Sequence, residues 1–302
     1  MRHISNAFMS ELQTGSLKPI LKEVQLDDTL DLELRGDKIT IYYRGGALFS
    51  IIEENGKYNL VGIDPKYRTN DLLIPTISLN NISNYIKDAK HLIDFYVTSE
   101  NNKLWEKEIQ QLIVRENNYS ANSSDTDFFI VDIEETDNDS RFDIIALQWN
   151  AEGLARKSFD KFKLTIIEVK QGINSLRTRS SKGTKKGNPG LKKHQADFER
   201  FIAAGNLDSF NDDMLMVFKQ KCVLGLIKAN RIERINLNTQ LSISGEPKFV
   251  CILANYKQKS KNLVNELAEM KDCKFFISSF TGYGLYHKNI VNKQHILELL
   301  NK

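Results

Sequence analysis

Three ionisable residues sit where strand-forming sequence is otherwise apolar. In "TIIEVKQG" (165–172) Glu168 and Lys170 fall two positions apart, and in "RFDIIAL" (141–147) Asp143 interrupts an apolar run. Side chains alternate along a strand, so Leu164, Ile166, Glu168 and Lys170 share one side, and Thr165, Ile167 and Val169 the other. Both sides are mostly apolar, as in a central strand covered by helices. An unpaired charge in such a place is strongly unfavourable. Two carboxylates on neighbouring strands also repel, which raises one pKa. A divalent cation removes that conflict. Mg²⁺ prefers oxygen ligands and is commonly held by one or two carboxylates together with waters and substrate phosphate. Lys170 would then stand beside the cation, placed to orient or deprotonate a water or to stabilise charge on a phosphorane.

The elements that must position these residues are legible. "NKLWEKEIQQLIVRENN" predicts an amphipathic helix, with Leu104, Ile109, Leu112 and Ile113 clustered and Glu108 beside that face. "DFFIVDIEE" and "RFDIIALQW" predict two strands joined by the turn-forming "TDNDS", hence a hairpin, and "FKLTIIEVKQG" is a third strand. An irregular stretch of about twenty residues follows, a length that is uncommon unless functional or disordered. "LKKHQADFERFIAAG" predicts a helix closed by Gly205, and the remainder alternates helix and strand: "DDMLMVFKQKCVLGLIK" helix, "KFVCILANY" strand, "SKNLVNELAEM" helix, "CKFFISSFTGYGLY" strand and "KQHILELL" helix. The class is α/β with a mixed sheet. Residues 1–100 read as an N-terminal α+β region, in which "DLELRGDKITIYYRGGALFSIIEENGKYNLVGI" predicts hairpins or a meander and "LNNISNYIKDAKHLIDFYV" a helix. Within it, "YYRGG" (42–46) suits either a hairpin packed on the core or contact with bases or phosphate.

Asp143 followed by Glu168-Val169-Lys170 on the next strand resembles the PD-(D/E)XK nuclease superfamily. The resemblance covers about residues 104–285. It implies a restriction-endonuclease-like core, a central mixed β-sheet flanked by helices, over residues 101–302, with residues 1–100 as a recognition or interface element. It further implies Asp143 and Glu168 as ligands of Mg²⁺ or Mn²⁺, an added ligand from the Val169 carbonyl, and Lys170 as catalytic base or electrostatic helper. Glu108 matches the family's glutamate on the preceding helix, with Glu116 a weaker match. Gln195 matches a glutamine on the helix after the Lys strand, with His194 adjacent. Two features depart from the pattern: Phe142 replaces the family's proline, and 25 residues separate Asp143 from Glu168. The implied activity is hydrolysis of phosphodiester bonds, in DNA first of all. The alternative is a non-catalytic nucleic-acid-binding module that retains the fold. Replacement of Lys170 is then expected to remove cleavage and leave folding largely intact. The family's usual roles also imply genome defence or repair, and a homodimer is compatible with them.

Charge sets limits on a polyanionic partner. The net charge is only +3, from 42 basic and 39 acidic residues, so affinity for nucleic acid must come from local clustering. Such a cluster exists: Lys170, Arg177, Arg179, Lys182, Lys185, Lys186, Lys192 and Lys193 lie in a stretch with no acidic residue. The three cysteines are far apart, which argues against zinc or a disulfide framework and for a reducing compartment. No apolar run is long enough to span a bilayer and the start lacks a signal-peptide core, so a cytoplasmic protein without a membrane partner is expected.

Overall fold

The computed structural model describes residues 2–68, 74–99, 105–121, 123–137, 140–149, 161–172, 190–228, 232–254, 261–278, 282–286 and 289–300. The chain divides into two compact units: Met1–Ser120 with Asp213–Thr239, and Ala121–Asp212 with Gln240–Lys302. This differs from the division expected at residue 100. The helix that contains Glu108 belongs to the first unit, and the chain returns to that unit after residue 212. Among the described residues no helix is long and apolar enough to cross a membrane.

The first unit begins with helices α1 (Asn6–Gln13) and α2 (Lys18–Leu26). Ser5 caps α1 by accepting the Phe8 N–H at 3.0 Å, and Pro19 sits in the first turn of α2, where its missing N–H is harmless. The expected meander follows as β1 (Leu30–Arg35), β2 (Lys38–Tyr43), β3 (Gly46–Glu54) and β4 (Lys57–Val61), all antiparallel and in sequence order. Its two-residue turns Arg44-Gly45 and Asn55-Gly56 have positive φ at both positions, the geometry that matches the strand twist. One sheet face is apolar, with Leu32, Leu34, Ile39, Ile41 and Ile51 buried. Helix α3 (Ile82–Thr98) buries Tyr85, Ile86, Ala89 and Ile93 and packs on β3. The opposite face carries Asp31, Glu33, Thr40 and Ser50, and it is buried too. Helix α4 (Trp105–Val114) and a single π-helical turn, Arg115–Tyr119, complete this segment.

The second unit is built on a mixed sheet. Strands β5 (Phe128–Asp137), β6 (Ser140–Gln148) and β7 (Lys161–Gln171) form the expected antiparallel run. β7 then pairs parallel with β9 (Lys248–Ala254), and β9 with β10 (Lys274–Ser278). β11 (Val291–Asn292) closes the β10 edge, and the short β8 (Ser242–Ile243) pairs with the start of β7. Helices α5 (Gly190–Ala203), α7 (Lys261–Glu269) and α8 (Lys293–Leu300) flank the sheet, so the class is mixed α/β. Helix α6 (Leu207–Val223) starts earlier and ends sooner than "DDMLMVFKQKCVLGLIK" suggests. Gly225 takes φ +67° and the Leu226 N–H reaches back to the Lys221 carbonyl at 2.8 Å, so the chain reverses before Leu226 and Ile227 can extend the helix.

Candidate active site

β7 is a central strand, flanked by β6 and β9. Glu168 and Lys170 are only 1 % and 4 % exposed. They are therefore not a salt bridge at a sheet edge. The β6–β7 register runs from Gln148–Lys163 to Ile144–Ile167, and one further step sets Asp143 opposite Glu168 on the same face. Asp143 is 6 % exposed, and its Oδ2 accepts the Val169 N–H at 2.8 Å. Across β7, the parallel register places Cys251 beside Glu168 and Leu253 beside Lys170.

The neighbouring strand is bent at the same level. β5 slips register between Ile130 and Asp132 and then keeps one register to Asp137, although Glu134 has φ +53°. Such bulges locally interrupt the ladder and re-aim side chains. Glu134 pairs with Arg141, and buried Asp132 accepts the Ile133 N–H at 2.8 Å.

The electrostatics follow from two carboxylates and one ammonium in a buried space. Lys170 Nζ is hydrogen-bonded to Glu168 Oε1. Burial, and then the neighbouring Glu168 charge, push the Asp143 carboxyl up to about 7, against the pull of Lys170 and the Val169 N–H. His194 of α5 brings its Nε2 within 3.0 Å of Glu168 Oε1, but without the alignment of a hydrogen bond, so neither ring nitrogen has a partner. Burial, and then Lys170, push its imidazole down to about 4, so it is neutral at physiological pH.

The other expected site residues are placed differently. The Gln195 side chain clasps a backbone: Oε1 accepts the Lys271 N–H at 2.9 Å and Nε2 donates to the Lys271 carbonyl at 3.3 Å. Its neighbour His194, rather than Gln195, faces the carboxylates. Glu108 lies in the first unit, where its Oε1 accepts from Arg44 Nε at 2.8 Å. Glu116 is in the π-helical turn of that same unit. Lys192 pairs with Glu269 at 2.6 Å and Lys193 with Asp197 at 2.8 Å. Arg177, Arg179, Lys182, Lys185 and Lys186 lie outside the described residues. Phe142, at the position of the family's proline, is buried against Phe201, with ring centroids 5.3 Å apart.

No family model, curated protein or solved structure matches this chain. Sequence reasoning left His194 beside a better-matching neighbour, although Leu191, His194 and Phe198 stand at helical spacing on one stripe of α5. That periodicity was the available signal.

The placement of Gln195 has a measurable consequence. Gln195→Ala leaves the Lys271 N–H without its acceptor, and the expected cost is about 1–3 kcal/mol in urea unfolding. Any cleavage rate should change little. A catalytic role for Gln195 requires the opposite pattern, a lost rate at unchanged stability.

Proposed function

We propose that the second unit is a metal-dependent nuclease of restriction-endonuclease-like architecture, with DNA as its first substrate. The observation that carries this reading is the pairing of two buried carboxylates, Asp143 and Glu168, across adjacent central strands, with the Lys170 ammonium bonded to Glu168. The chemistry of the donor set fits Mg²⁺ or Mn²⁺, because both groups are hard oxygen donors whose mutual repulsion a cation would relieve. Among the described residues no group of three or more His, Cys, Asp or Glu side chains is disposed to hold a metal. The fit is thus to a cation that takes its other ligands from water, phosphate and a backbone oxygen such as that of Val169.

Asp143, oriented by the Val169 N–H, and Glu168 would hold the cation, which would supply positive charge against the phosphodiester oxygens. Lys170 lends its ammonium to the attacking water or to a phosphate oxygen. His194, a neutral ring 3.0 Å from Glu168 Oε1, adds no second positive charge beside the carboxylates. Lys192 and Lys193, exposed on α5, would offer positive charge to the phosphate backbone once released from Glu269 and Asp197. Glu108 adds no ligand in this reading, since Arg44 holds it. The second reading is a non-catalytic nucleic-acid-binding module, favoured by Gln195 serving as a latch on Lys271.

Incubation with single- and double-stranded DNA and RNA, in Mg²⁺ and in Mn²⁺, separates the two. Cleavage of at least one substrate that stops on chelation supports the nuclease. Binding of nucleic acid without cleavage under either cation rejects it.

A pH-dependent stability effect follows from the same carboxylate. Without metal, the folded chain holds the Asp143 proton with a pKa of about 7 against 3.8 for the ordinary group. Folding therefore loses stability as pH rises between these values. His194 runs the other way: its folded value of about 4 lies below the ordinary 6.5, so its penalty arrives as pH falls through that window. A cation needs ionised Asp143, so the rise in melting temperature on adding Mg²⁺ should be larger at about pH 8 than at about pH 5.5. An equal rise at both pH values contradicts the assignment.

A further inference from the structure

The far side of the second unit's sheet carries a row of positive charge. Side chains alternate along a strand, so Lys161, Lys163 and Thr165 of β7 share the side away from Glu168 and Lys170. The register carries that side across the sheet. Thr165 lies opposite Lys248, the first residue of β9, and Val250 lies opposite Lys274, the first residue of β10. Lys163, Lys248 and Lys274 therefore each stand one strand over and two residues along from the last. With strands about 4.8 Å apart and about 3.3 Å per residue, each backbone step is about 8 Å, and the three form one line of about 16 Å.

Nothing on this line neutralises it. Lys163 and Lys274 are exposed and Lys248 is half-buried. On this side β7, β9 and β10 carry no carboxylate. Among the described residues none of the three lysines has an ion pair, and Glu246 and Asp272, two residues before Lys248 and Lys274, do not pair with them. Lys248 is held by a neutral oxygen instead, its Nζ donating to Gln148 Oε1 at 2.8 Å. Gln148 is opposite Lys163 in the β6–β7 ladder and is buried, so it fixes Lys248 without cancelling its charge. Burial, and then the ammoniums of Lys163 and Lys274, push the Lys248 ammonium down. Like charges on neighbouring strands oppose one another, and an anion facing the row relieves that.

The length of the row selects the ligand. A lone phosphate meets one end of a line of this length, whereas a nucleic-acid strand carries a charge every 3.4 Å or so of its axis and meets all of it. The row is also remote from the carboxylates. Lys163 and Glu168 are five residues apart on one strand, about 16 Å, and on opposite faces.

We propose that Lys163, Lys248 and Lys274 form a sequence-independent contact for the phosphate backbone of nucleic acid, separate from the carboxylate site, with Lys161 extending its β7 end. Phosphates held there lie out of reach of Asp143 and Glu168, so the row tethers a stretch of nucleic acid that the carboxylate site does not cut. The proposal needs neither a metal nor cleavage and does not depend on the nuclease reading.

The test follows binding of the full chain to a fluorescent DNA duplex and to a single strand, each of about 20 nucleotides per strand, by anisotropy in the presence of a chelator, from about 50 to 200 mM salt. Lys163→Gln/Lys274→Gln removes the two exposed charges. The slope of log affinity against log salt should fall by about two, one for each phosphate contact, with affinity about tenfold or more weaker at the low-salt end. Lys274→Gln alone should lower the slope by about one, and it remains informative should the double variant fail to fold. Lys18→Gln/Lys22→Gln removes the same net charge from exposed positions of α2 and should leave the slope unchanged. A fall with either probe that is absent from the α2 control supports the row. No binding by the unaltered protein, an unchanged slope in the folded variants, or an equal fall in the control overturns it. Inorganic triphosphate is titrated by calorimetry as well: affinity for it that is lost in the double variant, while the nucleic-acid slope stays, overturns the proposal in favour of a small-anion site.

Discussion

Asp143→Asn is expected to abolish cleavage and, at the same time, to make the metal-free protein more stable. Asparagine keeps an oxygen to accept the Val169 N–H, a hydrogen bond that orients the side chain. It removes the charge that burial and Glu168 together oppose, whose cost shows as a pKa near 7. A displacement of about three pKa units corresponds to roughly 2–4 kcal/mol at pH 8. Without the charge the cation loses a ligand, and cleavage should fall at least about a hundredfold. Urea unfolding with and without Mg²⁺, beside a cleavage assay, checks both halves. Gain of stability with loss of rate is the mark of a group held against its own folding preference for the sake of a site. A variant that loses both has a purely structural Asp143.

Lys170→Met carries the largest expected loss of stability. Sequence alone suggested that the fold would tolerate replacement of this lysine, but the structure gives a different expectation. Lys170 is a hydrogen-bonded partner of Glu168 in a buried space, and His194 there is neutral. Removing one member of a buried ion pair strands the other, at about 3–5 kcal/mol. The double variant Glu168→Gln/Lys170→Met should recover most of that loss, because no buried charge of the pair remains, while staying inactive. The coupling read from the four proteins of the cycle is expected to be large. Near-additive effects would show that the pair does not sense its burial and would remove the charge argument on which the metal assignment rests.

Much of the second unit was legible because its signals are local. Alternation along 141–147 and 164–170 marked Asp143, Glu168 and Lys170 as residues out of place, and the turn-forming "TDNDS" marked the hairpin that brings β6 against β5. Periodicity also marked the face of α5 that is buried. It does not state which position on that face meets the sheet and which meets the chain beyond α7, so Gln195, matched to the family's glutamine, lies on Lys271 while the adjacent His194 lies beside Glu168. The partner of Glu108 was illegible for a different reason. Arg44 lies 64 residues away, and no local pattern encodes that contact. In the same way, β1 looks half-solvated, yet Asp31 and Glu33 are buried because the chain returns to bring Lys221 onto Glu33. The bulge in β5 and the positive φ of Glu134 leave no mark in composition, since Glu134 is not glycine.

The most direct measurement is the binding of Mn²⁺ to the full chain, followed by paramagnetic resonance as metal is titrated in. Saturable binding that weakens sharply in Asp143→Asn, and again in the Glu168→Gln/Lys170→Met protein, is the expected result. Mn²⁺ binding that is absent, or that survives unchanged in both variants, contradicts a cation bridging these two strands.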